Sequence, residues 1–154
     1  MNKTTILPAI LEKLHDEFEQ RQRVSKEIRS AGNDTESRAE NKYDTLSTEQ
    51  NYLADGFAKQ AFATAQAAES LEKLRLDACA PDEPIDLGAL VEVEFADRAR
   101  EWFFVAPAAG GTEVEFEGRT VTVLTPESPL GSQLLGRKAG ESTAAPKVKI
   151  RAVV

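Results

Sequence analysis

The sequence predicts an α+β protein: an N-terminal antiparallel helical hairpin of the coiled-coil kind, then a small antiparallel β domain carrying one short helix. Three observations carry this reading. Up to about Leu76 the chain has glycine only at Gly32 and Gly56 and proline only at Pro8, and it is rich in good helix formers. The stretch "DACAPDEPIDLG" then brings Pro81, Pro84 and Gly88, which is linker composition. Beyond it the runs "LVEVEF", "EWFFV", "TEVEF", "RTVTVL" and "KVKIRAV" have strand character, most of them with period two. The expected divisions are 1–76 for the hairpin, 77–86 for the linker and 87–154 for the β domain.

In the helical part, Ile10, Leu11, Leu14, Phe18, Val24 and Ile28 form the first amphipathic stripe. The second helix has a heptad seam, with Tyr43, Leu46, Gln50, Leu53, Phe57, Gln60, Thr64, Ala67, Leu71 and Leu74 at steps of three and four. Between them, "SAGNDTESRAE" holds Gly32 and Asn33, which favour a helix end, and Ser37 with Glu40, which reads as a capping box opening the second helix. A short connection makes the two helices antiparallel neighbours. Helices of roughly 25 to 35 residues at ~1.5 Å each extend ~40 to 50 Å.

The β domain follows from alternation. Val91, Val93 and Phe95 point one way and Glu92 and Glu94 the other, which predicts one buried and one wet face. "VEFEGRTVTV" reads as a hairpin turning at Glu117-Gly118, with Val114 and Phe116 on one side. In the last strand Val148, Ile150 and Ala152 alternate with lysine and arginine, a basic face suited to lie beside the acidic ones. Between strands, "TPESPLGSQLLGRKAGE" predicts a helix of about two turns. Ser128 caps it, Pro129 is its first residue, Leu130, Leu134 and Leu135 share its packed face, and Gly136 supplies the left-handed stop. Ser128 and Pro129 are expected at an exposed lip.

Composition narrows the function. The 154 residues are 41% hydrophobic, enough for a core, and carry a net charge of −7. Stable binding of free nucleic acid is not expected of so acidic a chain. The lone Cys79 and lone His15 exclude an internal disulfide and a multi-cysteine or multi-histidine metal site. No apolar run reaches membrane-spanning length and the N-terminus has no signal-peptide pattern, so the expectation is a cytoplasmic protein without a membrane partner.

A heptad hairpin, a proline-bearing linker and a β domain with "SPLGSQLLGRKAGE" resemble the Gre family of transcription elongation factors. The family typically shows Ser-Pro, a Leu/Ile pair and then Gly-Lys at this place; here Arg137 stands between Gly136 and Lys138. "AENKYDTLSTEQNYLADG" is similar to the start of the family's second hairpin helix. The resemblance covers nearly the whole chain. It implies an FKBP-like C-terminal domain that docks on the rim of the RNA polymerase secondary channel, here through Ser128, Pro129 and Leu130. It implies that the finger enters the channel, where acidic tip residues help hold the polymerase's second Mg2+ and a water, so that a backtracked transcript is cut. The protein would then be no enzyme itself and would bind no cofactor tightly.

The tip departs from the family pattern of aspartate, two residues, glutamate and asparagine. Aligned on Glu40-Asn41, the aspartate position holds Ser37; aligned on Tyr43, the two acid positions hold Glu36 and Ala39. Asp34 and Glu36 at the bend, with Glu40 behind them, are the candidate carboxylates, since hard divalent cations take oxygen ligands. Arg21, Arg23, Lys26 and Arg29 form a basic cluster that either faces nascent RNA or is a solvated helix face paired with nearby acids. Three other readings stay open: a channel binder that inhibits without promoting cleavage, a prolyl isomerase, and a coiled-coil adaptor. An isomerase needs an aromatic-lined cleft, whereas alternation separates Phe103 from Trp102 and Phe104.

Overall fold

In a computed structural model of the chain, the backbone is described for residues 5–36, 44–76 and 83–154, and side chains for 5–31, 48–76 and 83–154. The Ser37–Glu40 capping box and Cys79 lie outside the described residues. The chain divides into two compact units, Leu14–Gln66 and Met1–Lys13 with Ala67–Val154.

The first unit is the body of a helical hairpin. Helix α1 spans Ile6–Glu36 and α2 spans Asp44–Glu72. Their 31 and 29 residues correspond to ~46 and ~43 Å of helix. Gly32 and Asn33 were expected to end α1, but it runs through them. Each lowers helix propensity without forbidding helix, and only a left-handed backbone at one of them would stop it. As α1 advances from Arg21 to Arg29, its partners on α2 fall back from Thr64 to the turn at Ala54 and Asp55. Arg21 meets Thr64, Ser25 Oγ donates to the Ala54 carbonyl at 2.8 Å, and Arg29 reaches Asp55 at 2.6 Å. The pairing is therefore antiparallel.

The seam agrees with the one read in the sequence at Thr64 and Leu71, which are buried, and departs from it elsewhere. Ala54, Ala61 and Thr64 are buried against α1, whose own buried residue there is Ser25. Leu53 and Gln60, expected in the seam, face solvent. Small residues let helix axes approach closely, and a serine hydroxyl can then bond the facing carbonyl directly. Leucine at the same place would hold the helices apart.

The second unit contains a five-stranded sheet: β1 Leu90–Phe95, β2 Arg100–Val105, β3 Glu113–Phe116, β4 Arg119–Leu124 and β5 Val148–Val153, in the order β3-β4-β2-β1-β5. β1–β2, β1–β5 and β3–β4 pair antiparallel, as expected. β2 and β4 pair parallel, which an all-antiparallel reading misses. Residues 106–112 carry the chain past one strand position, β3 forms the edge, and its hairpin returns β4 into the gap. That hairpin turns at Glu117 (φ 49) and Gly118 (φ 74), the two positive angles of a type I′ turn.

Both faces of the sheet are packed at one end. On the first, Val91, Val93, Phe103, Val105 and Ile150 form a core with Leu134. Ile85, placed in the linker by composition, belongs to this core and is 1% exposed. On the second face Leu90, Phe104, Val121 and Val123 are fully buried. The far end of that face is charged. Glu94 accepts two bonds from Arg151, at 2.6 and 2.9 Å, and one from Arg100 at 3.2 Å, while Arg119 lies 5.4 Å from the Trp102 ring centre. Here acidic and basic strand faces meet as expected, but a register shift between Glu92 and Val93 breaks the predicted alternation, so that Val153 rather than Ala152 joins Val148 and Ile150 on the core face.

Candidate functional site

The lip is built by a tight polar turn. Thr125 O accepts both the Ser128 N–H (3.0 Å) and its hydroxyl (2.7 Å), and Ser128 Oγ in turn accepts the Gly131 N–H at 3.0 Å. Ser128 O then takes the Ser132 N–H at 2.9 Å, which opens the helical turn. Ser128 thus does what a capping serine does. The regular helix α3 is shorter than expected, Gly131–Leu134, and starts two residues after Pro129. Thr125 O explains Gly131: a Cβ there would meet that oxygen at 2.0 Å. This requirement is invisible in the sequence, where the glycine reads as one of several.

The turn has a packed side and an open side. Leu130 and Leu134 are buried, and Leu135 packs partly on the same core. Ser128 is half-buried and Pro129 is exposed. Gly136 (φ +77) ends the turn and donates to Ile85 O at 2.8 Å, while Ile85 donates to Arg137 O at 2.7 Å. The lip is therefore fastened to the sheet unit by hydrophobic and backbone contacts that leave Pro129 outward.

On the hairpin, Arg21 pairs with Glu17 at 3.1 Å and Arg29 with Asp55 at 2.6 Å, so two members of the basic cluster have acidic partners. Arg23 and Lys26 are exposed. Lys26 and Arg29 also line a groove with Phe18, Phe62 and Ala61. Phe62 is 65% exposed. Cationic side chains beside open aromatic rings suit a single nucleic-acid strand, through phosphate pairing and base stacking. His15 is exposed and sits 3.3 Å from Glu19.

The candidate tip acids fall differently from the reading of a bend. The backbone of Asp34 and Glu36 lies in the last turn of α1, and that turn carries no basic residue. Their side chains, and Glu40 altogether, lie outside the described residues. The aromatic run of β2 offers no isomerase cleft: Phe103 and Phe104 are both buried and on opposite faces, and Trp102 is partnered by Arg119. Among the described residues, no helix is long and apolar enough to cross a membrane.

No family model and no curated protein matches the chain. Solved structures do. The chain is similar to GreA factor homolog 1 (Gfh1) of Thermus thermophilus at 18% identity, over 96% of this chain and 94% of that one, with a TM-score of 0.38. A structure of the transcription factor Gfh1 is similar at 20% identity, over 94% and 93%, with a TM-score of 0.36. Thermus aquaticus Gfh1 is similar at 20%, over 95% and 94%, with a TM-score of 0.37.

Proposed function

We propose that this chain is a Gre-type transcription factor that binds RNA polymerase through the Ser128–Pro129 lip, with Leu130 anchoring it from the core rather than touching polymerase as the motif suggested, and places its hairpin in the secondary channel. The observation that carries this is the division of the "SPLGSQLLG" motif. Its leucines and Gly131 are consumed by packing, while Pro129 is held outward on a rigid turn. Pro129 presets the backbone where the turn begins, and its ring is left in solvent, where a partner can reach it. The protein itself is not the catalyst in this reading.

At the tip, Asp34 and Glu36 add negative charge to a helix C-terminus, where the backbone dipole is already negative. That placement costs helix stability and favours a cation. Magnesium keeps most of its waters and needs near-octahedral oxygen ligands, so two carboxylates would supplement ligands held by polymerase rather than make a site of their own. The Lys26–Arg29 groove would face the transcript. The tip spacing, with Ser37 or Ala39 where the family has an acid, favours a second reading in which the protein occupies the channel and regulates polymerase without stimulating cleavage.

A transcript-cleavage assay on stalled, backtracked elongation complexes separates the two. In the first reading the protein stimulates cleavage, and Asp34→Ala with Glu36→Ala abolishes stimulation while polymerase affinity is retained. In the second the wild-type protein gives no cleavage at saturating Mg2+ yet displaces another channel-binding factor. Failure to bind polymerase at all, or binding indifferent to Ser128→Glu and Pro129→Ala, defeats the proposal itself.

A further inference from the structure

Gln133 belongs to the "SPLGSQLLG" stretch but is neither packed with its leucines nor part of the lip. Its side chain is spent on another segment. Gln133 Oε1 accepts the Ala144 N–H at 3.0 Å and the Ala145 N–H at 3.1 Å, and its Nε2 donates to Ala145 O. One carboxamide therefore satisfies three backbone groups of a single loop, as a neighbouring strand would. The base of the loop is closed separately. Thr143, 4% exposed, donates its N–H to Val148 O at 2.9 Å and its hydroxyl to Pro146 O, and its Oγ1 accepts the Val148 N–H at 3.1 Å.

The position of Gln133 on the turn gives this clamp its meaning. Residues three and four apart share a helical face, so Ser132 and Gln133 both lie on the side of Pro129, with Ser132 exposed and Gln133 half-buried between Pro129 and Leu130. Ser132 Oγ donates to Pro129 O at 3.2 Å, which joins Ser132 and Pro129 directly. The 144–147 segment is exposed throughout. Two groups of outward residues, distant in sequence, are thus locked side by side.

We propose that Gln133 is a positioning residue for polymerase docking. It fixes the Ala144–Pro146 loop against the outward face of the turn, so that Pro129 and the loop meet polymerase as one surface. This rests on the lip reading above and extends it by a second contact segment. An ordered loop also makes binding tighter, because less conformational entropy is lost when the complex forms.

The test pairs amide hydrogen exchange with polymerase binding, on the full chain. Gln133→Ala speeds exchange at Ala144 and Ala145 by about tenfold, the effect of one net hydrogen bond each, with the Leu134 and Ile150 amides unchanged. It also weakens polymerase binding by roughly three- to tenfold. Gln133→Glu keeps the acceptor and restores slow exchange at the two amides and most of the affinity. Unchanged exchange in Gln133→Ala overturns the clamp. Faster exchange with unchanged affinity, while Pro129→Ala still weakens binding, overturns the loop as a docking segment and leaves the lip standing. If neither Pro129→Ala nor Gln133→Ala moves the affinity, both readings fall.

Discussion

The hairpin and the sheet unit solve burial in opposite ways. Along the hairpin between Leu14 and Gln66 the buried residues are small, Ser25, Ala54, Ala61 and Thr64, with Leu14 the large exception at one end, while Tyr52, Leu53 and Phe62 stand in solvent at 75, 54 and 65% exposure. In the sheet unit the buried side chains are large, with Phe104, Leu134 and Ile150 at 0%. Burial stabilises in proportion to apolar area, so the sheet unit gains most of the hydrophobic free energy per residue. The hairpin gives up that gain for closeness of its two helices. Tyr52, Leu53 and Phe62 remain on the outside of the pair.

The largest test of this contrast is Gly131→Ala. The added methyl overlaps Thr125 O, part of a backbone turn that cannot yield without losing the Ser128 bonds. The expected loss is about 3 kcal/mol or more, at or beyond the upper end of overpacking effects, measured by chemical denaturation of the sheet unit. Next comes Ala61→Leu, which forces the helices apart and is expected to cost ~1 to 3 kcal/mol. Exchange at amides of the 14–66 unit should quicken while the strands stay protected. Equal loosening of both would mean that the contrast is wrong.

A smaller effect is expected at Glu94. Bonding to Arg151, ahead of Arg100, holds its carboxyl below the ordinary value of 4.5, against the opposing influence of partial burial. The folded group binds its proton less readily than the unfolded one. Its contribution is therefore fully present above the ordinary value and is lost as pH falls through the lower folded value. Denaturation from about pH 7 down to about pH 3 should show this slope, and Glu94→Gln should flatten it. A slope unaltered by Glu94→Gln would assign the pH dependence elsewhere.

The smallest effect is the most discriminating. Leu53→Ala should change stability by no more than ~0.5 kcal/mol, as for other exposed sites. A loss of ~2 kcal/mol or more would restore the seam first read from heptad spacing.

That seam shows where sequence reading runs out. Periodicity counts apolar size, and Leu53 outweighs Ala54; only the facing helix decides whether bulk or closeness is wanted. The Glu117-Gly118 hairpin was legible because its turn chemistry is local. The Ser128 cap and the Gly136 stop were legible for the same reason. The parallel β2–β4 pair was not, since alternation fixes which face a residue takes but not which strand lies beside it. Nor were Gly131 and Gln133, whose roles depend on Thr125 O and on a loop eleven to twelve residues away.

One division described above also bears on assembly. The sheet unit is discontinuous in the chain: it takes residues Met1–Lys13 and then Ala67–Val154, with 14–66 inserted between. During synthesis the first segment must wait for the second. If the insertion were a floppy tether, closing it would cost about 3.5 kcal/mol in chain entropy, from the logarithm of its length. A hairpin that zips early, from its own neighbouring turns, brings its two ends together beforehand and removes most of that penalty. The inserted hairpin then offsets the entropic cost of its own insertion.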